Sequence, residues 1–265
     1  MNKFITHNNK LHYSYTISED IECGTFSNHT HNVYELIYFL DGDATHIIED
    51  RKYKLKKGDV ILIKPLKYHF IQIDSVSRYE RIVVQFDDTI HNIDGLSLMP
   101  DNIDIINIEN NSSAQEIFKR LKLYSEKCSD EMLFQILPHV VSELFYSIHL
   151  FSNTFSKEFT SLSPLVSNAL QYINKNLCSI TDIGEVSNYL FVSESYFFRL
   201  FKKELHQSPK KYILEKRLLL AEKMLSQGEK PTAVSEKCGF SDYTTFYRNF
   251  VSFFGHSPSS EQNRF

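Results

Sequence analysis

The stretch CGFSDYTTFYRNF, Cys238 to Phe250, sets an arginine between two phenylalanines just after a glycine-phenylalanine corner. Forty-nine residues earlier the chain reads VSESYFFRLF, Val192 to Phe201. The register holds at Phe197/Phe246, Arg199/Arg248 and Phe201/Phe250, and again at Ser208-Pro209 and Ser257-Pro258. A unit of about fifty residues is therefore used twice, and periods of that size mark repeated supersecondary units.

On a helix advancing about 100° per residue, Phe246 and Phe250 lie within about 40° of each other and form one inward stripe. Thr244, Arg248 and Val251 fall on the opposite face, with Tyr247 at its flank. In the first copy Phe197, Leu200 and Phe201 turn inward, while Ser195, Arg199 and Lys202 turn outward, flanked by Phe198. Ser193 and Asp242 precede the two helices at equal offsets and suit the N-cap, because their side-chain oxygens can accept from free backbone N–H groups. ITDIGEVSNYL and PTAVSEKCG supply a short helix ahead of each. Each unit thus reads as helix, tight turn, capped helix.

An outward arginine with small polar neighbours suits the major groove of double-stranded DNA. Arginine donates two hydrogen bonds to guanine O6 and N7, Ser and Thr bond several base edges, and an aromatic such as Phe198 or Tyr247 covers a thymine methyl. Lys202, Lys203, Lys210 and Lys211 neutralise phosphates, which positions a protein without reading sequence. The plainer reading makes Arg199 and Arg248 solvated residues on amphipathic helices. Two copies in register, each with an exposed aromatic, weigh against it.

At these residues the chain resembles the AraC/XylS family of transcription regulators. The resemblance is carried by SESYFFRLFKKELHQSPKKYILEKRLLLAEKML and AVSEKCGFSDYTTFYRNFVSFFGHSPSSE, and covers roughly 165–262. It implies two helix-turn-helix units joined by a long helix, here about Pro209 to Ser226, with both recognition helices in successive major-groove segments. His206 stands where the first copy usually has glycine, and Val251-Ser252 replaces a common basic pair. The second copy is therefore expected to hold phosphate less well. The expected DNA-binding residues are Ser195, Phe198, Arg199, Lys202, Lys203, Tyr243, Thr244, Tyr247 and Arg248.

The first hundred residues follow another rhythm. YELIYFLDGDATHIIED, RKYKLKKGDVILIKP, HFIQIDS and RYERIVVQFDD alternate with period two between turns such as Asp41-Gly42 and Lys57-Gly58-Asp59, as short antiparallel strands of a barrel or sandwich do. From about Ser112 the period becomes helical, through AQEIFKRLKLYSEK and DEMLFQILPHVVSELFYSIHLF, the second bent at Pro138. The polar stretch Ser152 to Pro164 reads as a linker. The fold class is α+β in two domains: a β-barrel with following helices over 1–151, a linker over 152–164, and an all-α double helix-turn-helix domain over 165–265.

GTFSNHTHNVYELIYFLDG, Gly24 to Gly42, and GDVILIKPLKYH, Gly58 to His69, resemble the two motifs of a cupin barrel, the usual sensor of AraC-family regulators. In cupin enzymes two His, a Glu and a later His bind one divalent metal, and His29, His31, Glu35 and His69 match those positions. Lys67 replaces the usual second glycine, and nothing marks a substrate acid or base. Regulators of the family commonly keep such remnants without metal, so no metal, cofactor or catalytic residue is expected. The expected role is binding of a small-molecule effector by His29, His31, Glu35, Tyr38 and His69. A sugar is among the candidate effectors, but without Trp a Tyr or Phe would have to stack on it. The competing reading is a cupin metalloenzyme whose helical tail mediates assembly. The helices over 114–151 carry apolar stripes that suit packing on the barrel or, as the family implies, a homodimer.

Bulk properties agree. The 265 residues are 42% hydrophobic and 23% charged, with no apolar run long enough for a membrane span. MNKFITHNNK lacks the apolar core of a signal peptide, so a cytoplasmic protein is expected. Cys23, Cys128, Cys178 and Cys238 are widely spaced, which fits reduced thiols better than a metal site or disulfides. Residues 1–159 hold 16 Lys and Arg against 23 Asp and Glu, whereas 160–265 hold 13 against 10. A mildly basic C-terminal part permits nucleic acid without demanding it.

Overall fold

The structure is a computed structural model and describes residues 3–7, 11–87, 93–100, 102–151 and 158–261. Part of the expected linker, 152–157, lies outside the described residues. The chain divides into two compact units, 1–29 with 33–160, and 30–32 with 161–265.

The first unit is built on β1 (Lys3–His7), β2 (Leu11–Ile21), β3 (Gly24–His29), β4 (Tyr34–Asp41), β5 (Ala44–Ile48), β6 (Arg51–Lys54), β7 (Asp59–Ile63), β8 (His69–Ile73), β9 (Ser77–Phe86) and β10 (Ile105–Asn107). Helices α1 (Ser112–Lys127) and α2 (Asp130–Phe151) follow, α2 running through Pro138, and β11 (Thr160–Ser161) ends the set. One sheet has the order β1-β2-β9-β4-β7-β10, the other β11-β6-β5-β8-β3. Between them lies an apolar core that includes Ile37, Phe39, Ile61, Ile63, Ile71 and Val83.

The six-stranded sheet is buried on both faces. Leu36, Tyr38, Val60, Leu62, Ile82 and Val84 point away from the barrel interior and pack with Ile117, Phe118 and Leu121 of α1 and Leu137, Val141 and Leu144 of α2. This accounts for runs such as DVILI, in which every residue is buried. A strand covered on both sides needs apolar residues at successive positions, not alternate ones. The helical stripes are used here, against the sheet.

The second unit is helical: α3 (Pro164–Lys175), α4 (Ile183–Tyr189), α5 (Glu194–Leu205), α6 (Pro209–Ser226), α7 (Pro231–Lys237), α8 (Tyr243–Phe254) and α9 (Pro258–Glu261). The long α6 spans the expected residues. Its N-terminal half brings Tyr212 edge-on to Phe201 of α5, ring centroids 5.7 Å apart. Its C-terminal half packs Leu218, Ala221 and Leu225 with Val234, Phe246 and Phe250. One helix thereby carries a core for each helix-turn-helix unit.

Candidate nucleic-acid interface and ligand cavity

Both expected recognition helices are capped as their sequences predict. The Ser193 hydroxyl accepts from the backbone N–H of Tyr196 at 3.4 Å, and the Asp242 carboxylate from that of Thr245 at 2.7 Å. The Thr245 backbone N–H, followed by its hydroxyl, holds the Asp242 carboxyl below the usual carboxylate range. Phe197, Phe201, Phe246 and Phe250 are fully buried, which fixes the face each helix leaves outside. That face presents Ser195, Arg199, Lys202 and Lys203 on α5, and Tyr243, Thr244, Tyr247 and Arg248 on α8, all exposed.

Phe198 departs from its expected exposure. It is half-buried, edge-on to Phe197, with the Lys210 ammonium 6.0 Å from its ring centroid. The exposed aromatic of the first helix is Tyr196, 42% accessible, with the Arg199 guanidinium 5.6 Å from its ring centroid. The signal for Tyr196 was present: it flanks Phe197 on the other side at the same helical angle.

Arg217 of α6 ties the two helix-turn-helix units together. Its guanidinium donates to the carbonyls of Leu177 (2.9 Å) and Ile180 (2.5 Å) ahead of α4, and of Gly239 (2.8 Å) after α7. Burial lowers its pKa, and the three carbonyls take up its donors.

In the barrel, His12, Ser14, Glu35, His46, His69, Arg81 and Gln85 line a cavity of about 170 Å³ together with His29 and a few apolar side chains. One ligand-capable atom from each of His29, His31, Glu35 and His69 lies within 4.8 Å of the others. The His69 Nδ1–H donates to the Lys67 carbonyl at 2.9 Å, which turns Nε2 to Glu35 Oε2 at 2.9 Å. These residues fit a divalent ion, since imidazole and carboxylate are its usual donors and a carbonyl commonly orients the second nitrogen of a ligating histidine.

Tyr38 is a correction. It is buried on the opposite face of β4, its ring stacked on Phe118 with centroids 4.1 Å apart, and it does not line the cavity. Side chains alternate along a strand, so Glu35 and Tyr38 cannot face the same way. His12, His46 and Arg81 line the cavity without having been expected there.

Two helix-turn-helix units on a common helix, in a chain that also carries a β-barrel with a polar cavity, define a DNA-binding protein with a ligand-binding domain. A model described as AraC-like ligand binding domain matches residues 12–93, and one described as helix-turn-helix domain matches 186–264. The chain belongs to the AraC family of transcription regulators. It is 23% identical to the Msm operon regulatory protein of Streptococcus mutans, over 97% of this chain and 94% of that protein. It is 35% identical to the probable transcriptional regulator LumQ of Photobacterium leiognathi, over 34% of this chain and 37% of that one. The crystal structure of ToxT from Vibrio cholerae O395 aligns over 95% of this chain and 97% of its own, at 17% identity and a TM-score of 0.39. None of these matches supports the metalloenzyme reading. Among the described residues, no helix is long and apolar enough to cross a membrane.

Proposed function

We infer that α5 and α8 read base edges in two major-groove segments of one operator, chiefly through Arg199 and Arg248, while Lys202 and Lys203 hold phosphate. The observation that carries this is the pair of capped helices, forty-nine residues apart, each presenting an arginine and small polar groups on the face opposite its buried phenylalanines. We also infer that a small molecule in the barrel cavity sets DNA occupancy, that the protein works in the cytoplasm, and that it has no catalytic role. Exposed Leu123, Met132, Tyr146, Leu150 and Phe151 on α1 and α2 support a homodimer through those helices.

A divalent ion would be held by His29, His31, Glu35 and His69. It would supply a Lewis-acidic anchor for a ligand oxygen. DNA reading does not depend on it, because every residue assigned to DNA lies on α5 or α8.

The test starts from the DNA fragments that the full-length protein retains from a random pool. The full chain and the fragment 161–265 are then titrated on the selected operator, with and without metabolite extract. The fragment is expected to bind DNA more weakly, since a dimer adds effective concentration, and to ignore any compound that modulates the full chain. A fragment that still responds would remove the barrel as the sensor.

A further inference from the structure

His46 of β5 is 2% exposed, and neither of its ring nitrogens has a hydrogen-bond partner among the described residues. An imidazole always carries at least one N–H, so His46 offers an unused donor to the cavity it lines. Buried polar groups left in this state are rare in folded proteins and call for a partner. Its ring stacks beside His69, centroids 6.0 Å apart, so it stands next to the Glu35–His69 pair.

Arg81 of β9 is the second such group. It lines the same cavity, its Nε has no hydrogen-bond partner, and no carboxylate pairs with it among the described residues. Its guanidinium lies 5.7 Å from the centroid of the Tyr79 ring, which stacks on a cation without neutralising it. Glu35, the acidic residue of the lining, is engaged by His69. Strand register sets the spacing: Phe39 pairs with Arg81 and Glu35 with Gln85. Arg81 and Glu35 thus belong to rungs four residues apart, about 13 Å along the strands. The cavity has a cationic end with unused donors and an acceptor end formed by a carboxylate.

We propose that Arg81 is the anion-binding group of this cavity, with His46 supplying a further donor, and that its ligand is a compact hydroxylated anion whose hydroxyls are read by Glu35. The proposal rests on the reading of the barrel as the sensor and names the chemistry that it senses. An acid group accepts from the guanidinium in the paired geometry that favours arginine for carboxylate and phosphate. A hydroxyl donates to Glu35, which as a carboxylate can only accept. Ile37, Phe70, Ile71 and Val83 are the apolar share of the lining, too little to cover a fatty chain.

The test is calorimetry on the full-length protein, dialysed against chelator so that a metal cannot hold the anion. The probes are D-glucuronate and L-malate as carboxylates, D-glucose as the neutral match, glycerol 3-phosphate and decanoate. D-glucuronate is expected to bind at least about tenfold more tightly than D-glucose. Arg81→Gln should bring the two within about twofold and leave operator affinity without ligand unchanged, while Arg81→Lys should keep part of the preference. The ring ¹⁵N resonances of His46 should move with D-glucuronate in the wild type. Preference for glycerol 3-phosphate over D-glucuronate supports the same site with phosphate as the acid. Equal binding of D-glucose, preference for decanoate, an undiminished preference in Arg81→Gln, or no binding by any anion overturns the proposal. Binding of a neutral or apolar probe that changes operator affinity overturns the anion site and leaves the barrel as the sensor.

Discussion

The two helix-turn-helix units follow one plan and differ at the turn. In the first, the backbone N–H of Val192 reaches the Ser187 carbonyl at 3.1 Å; in the second, that of Phe240 reaches Ser235 at the same distance. These bonds are offset by forty-eight residues, the recognition helices by forty-nine, so Ser241 is an extra residue in the second turn. Both turns need a residue in the left-handed region: Phe191 at φ 55° in the first, Gly239 at φ 77° in the second. Phe191 is 95% exposed, whereas a Cβ on Gly239 would lie 2.1 Å from the Cys178 carbonyl oxygen. The first turn projects into solvent and tolerates a side chain there at the cost of local strain. The second is pressed against the segment between α3 and α4 and clamped by Arg217, so only glycine fits. A repeated motif keeps its backbone conformation, and the neighbours of each copy decide which side chains that conformation accepts.

Gly239→Ala should break the second unit. Left-handed strain and the contact with Cys178 together should cost about 3 kcal/mol or more, read by urea denaturation of the full chain followed by helical circular dichroism. Phe191→Gly should instead gain about 1 kcal/mol. Similar effects at the two sites would end the distinction drawn between the turns.

Next come the outward arginines. Arg199→Ala and Arg248→Ala should each lose about 1–3 kcal/mol of affinity for the selected operator and much less on random DNA. The salt dependence of binding should shallow more when Lys202 or Lys203 is replaced than when Val251 or Ser252 is, since only the first helix carries lysines after its arginine. Equal losses on operator and random DNA would reassign the arginines to phosphate.

The smallest effect concerns the helix ends. His206 closes α5 at φ 56° where Gly255 closes α8 at φ 75°. His206→Gly should stabilise the chain by up to about 1 kcal/mol with operator affinity unchanged. A loss of stability would show that the imidazole holds contacts worth more than the strain it bears.

How far the sequence could be read depends on what kind of signal each feature leaves. The double helix-turn-helix unit was legible because its caps, phenylalanine stripes and arginines act over a few residues. The strands were legible from their turns, but YELIYFL runs apolar through successive positions, which is the mark of a sheet covered on both faces. Alternation along that strand already sets Tyr38 on the face opposite Glu35, so its exclusion from the cavity was legible in the sequence. Phe198 and Tyr196 flank the same buried ring symmetrically, and only packing, with Lys210 beside Phe198, decides which is exposed.

By itself, then, the sequence determined the order of the elements, the caps of α5 and α8, the span of α6 and the two arginines, because local periodicity and side-chain chemistry specify them. Tertiary structure alone decided that Arg217 bridges the two units, that Gly239 admits no side chain, and that His46 and Arg81 share a cavity with Glu35. Those facts depend on residues distant in the chain meeting across strands and helices, and no spacing in the sequence encodes such a meeting.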